Sequence, residues 1–189
     1  MRIAIIGTGH IGGTLGTKWH AAGHEVFYGA RTTRSDGPGG AEVMITDDAL
    51  IEGDVVVLAV PGGAVADAVD AQGPRLAGKV VIDATNHIGA PEVNGYTATK
   101  AAAPDARYAR AFSTLGWENF ADPPEGASLF FAADPDARAT TEQLITDIGL
   151  DPAYVGDASA RGIVDGVLPL WFALITQAGH RRLAFRVVS

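Results

Sequence analysis

The glycine-rich stretch "GTGHIGG", residues 7–13, has residue types and spacing suited to binding a phosphate group. It places Gly7, Gly9 and Gly12 in G-x-G-x-x-G spacing, after the apolar run "RIAII" and before a segment of helical composition. In such a unit the first glycine permits the turn, the second lets an anion approach the backbone, and the third lets helix and strand pack closely. Free N–H groups at the helix start then bind a pyrophosphate. We predict a dinucleotide phosphate loop to which His10 contributes its backbone rather than its ring.

A second cluster, "RTTR", follows the next predicted strand, "HEVFYG". Sites that prefer NAD usually carry an acid about twenty residues past the loop, where it binds the ribose hydroxyls. The segment 26–35 contains no acid, and Arg31, Thr32 and Arg34 occupy that position instead. Guanidinium groups match phosphate oxygens in a planar fork, and threonine hydroxyls add hydrogen bonds. The cluster predicts a socket for the 2′-phosphate of NADP, although solvated surface arginines are the ordinary alternative.

Two further buried strands, "DVVVLAV" and "GKVVIDAT", end in residues that suit the nicotinamide half of such a cofactor. Open parallel sheets bind ligands at the carboxyl ends of their strands. Val60 and Pro61 end the first strand, and Thr85 and Asn86 follow the second. The Asn86 amide is suited to a carboxamide, and His87 beside it is either a proton donor or a solvated loop residue.

The segment "AFSTLGWENF" places small polar residues and an aromatic ring after another strand. We predict that Ser113, Thr114 and Trp117 line the substrate side of the cleft. For Trp117, packing in the core is an equally good interpretation.

Strands and helices alternate along the chain, which predicts an α/β protein with a doubly wound, mostly parallel sheet. The helix "DPDARATTEQLITDIG" has Asp134 at its cap and Gly149 at its exit, and "PAYVG" forms a last strand. We predict a dinucleotide-binding domain over 1–156 and a helical extension over 157–189, packed as one unit. Because the extension is apolar nearly all round from residue 163 to 175, it needs burial under the sheet or against a second copy, and we expect a homodimer.

The composition excludes several classes of protein. The formal net charge of −8 disfavours nucleic acid and anionic membranes as partners. The chain contains no cysteine, which excludes disulfides and thiolate sites, and the sequence shows neither a metal-binding cluster nor a set of catalytic acid–base residues. A strand begins at once without signal architecture, and the longest apolar stretch, "IVDGVLPLWFALI", is short for a membrane span. We expect a cytoplasmic protein with a small-molecule partner.

With these motifs in place, nearly the whole chain resembles the family of NADPH-dependent reductases of coenzyme F-420, a deazaflavin hydride carrier. The resemblance rests on "IAIIGTGHIGGTLG", "DVVVLAVP", "VVIDATN", "ARAFSTLGWENFADP" and "LWFALITQAGHRRLAFRVV". It implies a Rossmann domain with a short carboxyl-terminal helical portion, NADP on the glycine-rich loop, and a deazaflavin stacked on the nicotinamide. The cofactor residues that it implies are Gly7, Thr8, Gly9, His10, Ile11, Gly12, Arg31, Thr32, Arg34, Val60, Pro61, Thr85 and Asn86.

Hydride transfer between two stacked rings requires positioning rather than an acid or base. We therefore predict no catalytic side chain for a deazaflavin acceptor. A carbonyl or imine acceptor would need a proton donor, for which His87, Tyr96 and Lys100 are the candidates. Reduction of free flavin or another small acceptor, and a regulatory module that binds NADPH without turnover, are the alternatives.

Overall fold

An eight-stranded sheet organises residues 1–188, which are the residues that the computed structural model describes. The strands are β1 (Arg2–Ile6), β2 (Glu25–Ala30), β3 (Val43–Ile45), β4 (Val55–Leu58), β5 (Val80–Asp83), β6 (Arg107–Arg110), β7 (Ser128–Ala133) and β8 (Asp151–Gly156). Their spatial order is β3-β2-β1-β4-β5-β6-β7-β8, and β6–β7 is the antiparallel pairing in this otherwise parallel arrangement. The first six strands follow the 3-2-1-4-5-6 order of the Rossmann fold, so the predicted fold class is confirmed.

Helices cover both faces of the sheet. They are α1 (His10–Ala21), α2 (Thr46–Glu52), α3 (Val65–Asp70), α4 (Gly73–Leu76), α5 (Tyr96–Ala102), α6 (Trp117–Ala121), α7 (Pro135–Asp147) and α8 (Arg161–Ala178). The alternation of side chains along β1 explains the two layers of core. Ile3 and Ile5 pack on one face with Trp19 of α1, whereas Ala4 and Ile6 pack on the other face in the cluster that contains α2 and α3.

Helix α7 begins where the sequence predicts, although its cap differs in detail. Asp134 occupies the cap position and Pro135 the first turn, and Gly149 follows the helix with a φ of 90°. The Asp134 carboxylate accepts hydrogen bonds from Lys100 Nζ at 3.0 Å and from the Tyr108 N–H at 2.8 Å. It therefore ties α5 and β6 together near the amino end of β6 instead of capping its own helix.

The carboxyl-terminal segment is less helical than the sequence predicts. Helix α8 ends at Ala178, and Gly179 follows it in the left-handed conformation, with a φ of 71°. The chain then turns back along the domain, where the Phe185 carbonyl accepts from the Ser128 N–H of β7 at 2.7 Å. The Leu183 carbonyl accepts from Trp171 Nε1 at 2.9 Å, which fixes the tail against α8. Residue 189, the last of the predicted extension, lies outside the described residues.

Among residues 1–188, the helical segment Ala158–Ala178 has the length and the apolar composition of a membrane span, and 22% of its most apolar window is buried. A single helix of this kind is weak evidence for a membrane. Val164, Leu168 and Trp171 pack into the domain on one side of the helix.

Candidate functional site

The turn between β1 and α1 has the backbone geometry that a pyrophosphate needs. Gly7 has a φ of 111°, and a Cβ there would lie 2.4 Å from the Ala59 carbonyl oxygen. A Cβ at Gly12 would lie 2.2 Å from the Gly7 carbonyl oxygen, so α1 and β1 approach closely only with glycine at that position. A Cβ at Gly9 would meet no atom within 4 Å, and α1 begins at the next residue, His10. The space before the first helical N–H groups is therefore open to an anion.

Arg34 reaches from the segment after β2 back to this loop. Its Nη2 donates to Thr8 Oγ1 at 2.6 Å. Its backbone is fixed to β3, since the Arg34 N–H donates to the Val43 carbonyl at 3.0 Å and the Val43 N–H donates back at 2.8 Å. Arg31 and Thr32 are exposed in the same segment, just beyond the end of β2. The predicted 2′-phosphate clamp consists of Arg31, Thr32 and Arg34. The structure brings Arg34 of this clamp beside the predicted phosphate loop, and binding of the 2′-phosphate there stays a prediction.

A cleft of about 480 Å³ lies between the phosphate loop and the segment that carries Arg34. Its lining residues are Thr8, Gly9, His10, Thr14, Arg34, Asp36, Gly37 and Pro38. Asp36 brings a carboxylate into the same cleft, so the charge of Arg34 is needed to make it attractive to a phosphate. The Ile11 side chain packs against the core, and a contact of Ile11 with the cofactor stays a prediction.

The His10 imidazole stacks on the Trp117 indole. Their ring centroids are 5.1 Å apart and the planes are inclined by 18°. Trp117 is half-buried and begins α6, so this contact joins the phosphate loop to the segment after β6. Trp117 therefore faces the loop rather than the interior of the core, and the His10 ring has a role in shaping the cleft that the sequence did not predict.

The segments after β4 and β5 are in backbone contact at the predicted nicotinamide end. A Cβ at Gly62 would lie 2.3 Å from the His87 nitrogen, which shows how closely the two segments approach. Val60 is half-buried and Pro61 is exposed beside them. The Thr85 hydroxyl donates to Asp83 Oδ1 at 2.6 Å, and the Thr85 N–H donates to the same oxygen at 2.8 Å. The Thr85 side chain therefore stabilises the turn after β5.

Asn86 is held from both ends of its amide. Its Oδ1 accepts from Arg110 Nη2 at 2.7 Å, and its Nδ2 donates to the Ser113 carbonyl at 2.8 Å. The side chain thus bridges the end of β6 and the segment that follows it. One amide hydrogen of Asn86 remains for a ligand, whereas an asparagine side chain without protein partners would offer two hydrogens and its oxygen.

Asp83 and Arg110 form a buried polar cluster at the carboxyl ends of β5 and β6. Both side chains have no exposed surface, and Arg110 Nη1 lies 3.5 Å from Asp83 Oδ1. The Tyr108 hydroxyl donates to Asp83 Oδ2 at 2.7 Å. Burial, followed by the negative charge of Asp83, raises the pKa of Tyr108 well above its ordinary value, so this phenol remains a proton donor in the hydrogen bond. The Gly95 N–H also donates to Asp83 Oδ2, at 2.6 Å, which fixes the far end of the loop after β5.

Ser113 and Thr114 carry buried hydroxyls after the end of β6. They are 2% and 1% exposed, and neither hydroxyl has a hydrogen-bond partner among the described residues. Phe112, just before them, has a φ of 58°, which is rare for a bulky residue and costs about 1–3 kcal/mol. The buried Phe112 ring, set edge-on to Trp19 and Phe120, stabilises this strained conformation. Strain beside two unpaired hydroxyls marks this turn as a functional candidate, and both oxygens are closed to solvent in this structure.

The three candidate proton donors lie in different places. His87 is exposed in the loop after β5. The Tyr96 ring packs edge-on to Tyr108 and lies under the Arg161 guanidinium, 3.9 Å from it. Lys100 donates to the Ala106 carbonyl at 2.6 Å, near the amino end of β6 and away from the cleft. Lys100 is therefore not placed to protonate a substrate, and His87 is the most accessible of the three.

Sequence reasoning missed Arg110 and its partner Asp165. Arg110 Nε donates to Asp165 Oδ1 of α8 at 2.8 Å. The available signal was a charged residue inside each of two apolar segments, "RYARAF" and "IVDGVLPLWFALI". Buried charges of opposite sign usually pair, so these two residues were candidates for a contact.

A protein-family model described as NADP oxidoreductase, coenzyme F-420-dependent, matches residues 2–87. This range includes the phosphate loop, the clamp and the ends of β4 and β5. It ends before the segment 113–117, where the acceptor side of the cleft is predicted.

Solved structures extend the similarity to the rest of the chain. A protein from Arthrobacter sp. FB24, assigned as an F-420-dependent NADP-reductase, is similar over 100% of both chains, with 24% identity and a TM-score of 0.86. A hypothetical protein from Sinorhizobium meliloti is 30% identical over 86% of this chain and 88% of its own, with a TM-score of 0.71. The pyrroline carboxylate reductase of Plasmodium falciparum, solved with NADP bound, shares the fold at 13% identity over 95% of this chain and 69% of its own, with a TM-score of 0.61. Together with the loop geometry, these matches show an NADP oxidoreductase of the Rossmann fold, whose residues 2–87 match the model of the coenzyme F-420-dependent NADP oxidoreductases.

Proposed function

We propose that the protein transfers a hydride between NADP(H) and a planar deazaflavin or flavin-type acceptor, with coenzyme F-420 as the first candidate. The observation that carries the proposal is the half-buried Trp117 indole, which lies beside the phosphate loop in a stack with the His10 ring. A flat acceptor ring suits this surface, because such a ring stacks on an aromatic side chain. The similarity to the Arthrobacter protein supports the same acceptor class.

The cofactor assignment fits the residues present. The open approach to Gly9 and the guanidinium groups of Arg31 and Arg34 suit the pyrophosphate and the 2′-phosphate of NADP. When bound, the nicotinamide supplies or accepts the hydride. The protein's own contribution is to hold the two rings about 3–3.5 Å apart and to exclude water between them. The unpaired hydroxyls of Ser113 and Thr114 are closed to solvent, so they would contact the acceptor only if the turn after β6 opens.

The acceptor is tested by mixing the purified protein with NADPH and oxidised coenzyme F-420. We expect loss of the deazaflavin's visible absorbance at a rate proportional to protein concentration. The Gly9→Ala variant, which should not bind NADPH, is the matched control. Parallel reactions with flavin mononucleotide identify a flavin reductase if only they proceed. Binding of NADPH with no turnover of either acceptor would contradict the proposal and favour a regulatory module.

We also propose that the protein is a cytoplasmic homodimer that contacts neither nucleic acid nor membrane. The net charge of −8 would repel both kinds of polyanionic surface. Helix α8 exposes an apolar stripe that includes Ile163, Leu170 and Leu174, which are 60%, 52% and 37% exposed. The charged residues within α8, Arg161 and Asp165, are engaged with Tyr96 and Arg110, so the stripe itself is uncharged. A second copy of the same helix is the occupant that covers such a surface without unpaired charges.

The double variant Leu170→Glu/Leu174→Glu should therefore be monomeric where the unchanged protein is dimeric. In a dimer, the two introduced carboxylates would be desolvated beside the same carboxylates of the partner subunit. The free-energy cost of that desolvation and repulsion would exceed the free energy that the apolar interface contributes. Sedimentation velocity at micromolar concentration measures the outcome. Ile51→Glu, on the 58% exposed Ile51 of α2, is the control and should leave the mass unchanged. A wild-type monomer, or a double variant that still sediments as a dimer, would rule out this interface.

A further inference from the structure

Arg110 lies where four segments of the chain meet. Its side chain has no exposed surface. Nη1 donates to the carbonyls of Asp83 and Thr85, at 3.2 and 2.5 Å, and Nη2 donates to Asn86 Oδ1 at 2.7 Å. Nε donates to Asp165 of α8 at 2.8 Å. All three nitrogens of the guanidinium are thus engaged, and two of them hold the turn that carries Asn86.

The orientation of the Asn86 amide is fixed by the chemistry of its two neighbours. Arg110 can only donate hydrogen bonds, so the amide oxygen must face it. The Ser113 carbonyl can only accept, so the amide nitrogen must face that group. Rotation of the amide by 180° would place donor against donor and acceptor against acceptor. The remaining amide hydrogen of Asn86 therefore has one fixed direction rather than two.

Asp165 connects this arrangement to α8. Its Oδ1 accepts from Arg110, and its Oδ2 accepts from Asn94 Nδ2 at 2.6 Å. Asn94 lies near the far end of the loop that follows β5, and Asn86 lies near its start. One carboxylate on α8 therefore holds both ends of that loop, one directly and one through Arg110.

We propose that Arg110, held by Asp165, is the positioning residue that presents the Asn86 amide to the nicotinamide carboxamide. The inference rests on the proposed placement of the nicotinamide beside Asn86 and does not depend on which acceptor is used. Arg110 touches neither cofactor nor acceptor in this role. It acts by fixing which atom of Asn86 remains available and where that atom points.

A guanidinium is needed for this role because its planar fork reaches the Asn86 oxygen, the Thr85 carbonyl and Asp165 at the same time. Lysine keeps the charge but offers a single nitrogen at the end of a flexible stem. Arg110→Lys should therefore preserve the charge balance with Asp83 and Asp165 while releasing Asn86. This substitution leaves fewer unpaired charges in the interior than a change to alanine would.

The test compares two ligands by calorimetry, NADPH and 2′-phospho-adenosine diphosphoribose, which lacks only the nicotinamide. We expect Arg110→Lys to weaken NADPH about tenfold, since the hydrogen bond from a correctly placed amide is lost, and to change the shorter ligand less than about twofold. Asn86→Ala should give the same pattern, and the double variant should be no weaker than Asn86→Ala alone. Asp165→Asn, which keeps an acceptor for Arg110 Nε, should shift NADPH in the same direction by a smaller factor. It is the second variant if Arg110→Lys does not fold, as judged by thermal unfolding.

Arg107→Lys is the control, because Arg107 lies at the amino end of the same strand, where it donates to the Gly78 carbonyl. It should leave both affinities unchanged. Equal weakening of both ligands by Arg110→Lys and Asp165→Asn would show a merely structural role. Additive losses in the double variant, or no effect of Asn86→Ala on NADPH, would also overturn the inference. These binding measurements contain no hydride acceptor. A failure of the protein to reduce coenzyme F-420 would therefore contradict the proposed function and leave this binding test valid.

Discussion

Gly9→Ala is expected to abolish NADPH binding in the working concentration range while the protein remains folded. The Gly9 backbone, with φ −74° and ψ −170°, is allowed for alanine, and the added Cβ would meet no protein atom within 4 Å. The methyl group would instead occupy the space through which the pyrophosphate approaches the first helical N–H groups. Losing two charge-assisted hydrogen bonds, each contributing about 1.5–3 kcal/mol, weakens binding at least about a hundredfold. Titration calorimetry and thermal unfolding of the same sample measure both parts of the prediction.

Two other glycines give matched controls for that variant. Gly12→Ala places its Cβ 2.2 Å from the Gly7 carbonyl oxygen and 3.1 Å from Ile5 Cγ2, so it should lower the unfolding temperature as well as binding. Gly162→Ala, where a Cβ also meets nothing within 4 Å, should change neither NADPH affinity nor folding adversely. Undiminished affinity in the Gly9→Ala variant would show that the pyrophosphate lies elsewhere.

The fold was predictable where a strand is buried on both faces. β1, β4 and β5 are short apolar runs that end at polar or glycine-rich turns, and their sequence alone indicates a parallel sheet. β3, with three residues, is too short to show a periodicity, and its pairing with Arg34 depends on the neighbouring β2. The return of the tail to Ser128 was not predictable either, because hydrogen bonds between distant segments leave no local pattern.

For the candidate site too, features that depend on neighbouring residues were predictable and features that depend on distant residues were not. The roles of the three glycines follow from spacing, because the turn constrains the backbone within a few residues. The cluster around Arg110 contains hydrogen bonds between residues up to 71 positions apart, so its members are adjacent only after the sheet has formed. The stacking of His10 on Trp117 has the same origin. The glycine turn after β1 could therefore be predicted from the sequence, whereas the side chains that fix Asn86 could not.

Replacing Arg31 and Arg34 together by alanine is the second change with a large expected effect. It should weaken NADPH at least about a hundredfold and leave NADH within about threefold, because only NADPH carries the 2′-phosphate that the two guanidinium groups would pair with. Arg34 should account for more of the loss than Arg31, since its guanidinium is already fixed beside the loop by Thr8. Without these charges, Asp36 would also face the phosphate unopposed across the cleft. Binding of NADPH and NADH is measured by calorimetry at two salt concentrations. In the unchanged protein, the difference in affinity between the two cofactors should be smaller at the higher salt concentration.

The matched control for the clamp removes the same charge from elsewhere on the protein. Arg107→Ala/Arg138→Ala changes the formal net charge from −8 to −10, as the clamp variant does, by taking away two positive charges. Arg138 pairs with Glu142 on α7, and Arg107 lies near the amino end of β6, so neither lies beside the cleft. If the clamp binds the phosphate by direct contact, the control variant should still prefer NADPH over NADH. If the clamp acts only through the net charge of the protein, both double variants should lose that preference equally. Equal losses of NADPH and NADH in the clamp variant would remove Arg31 and Arg34 as the origin of cofactor selectivity. The two threonines that line the cleft, Thr8 and Thr14, would then be the next candidates.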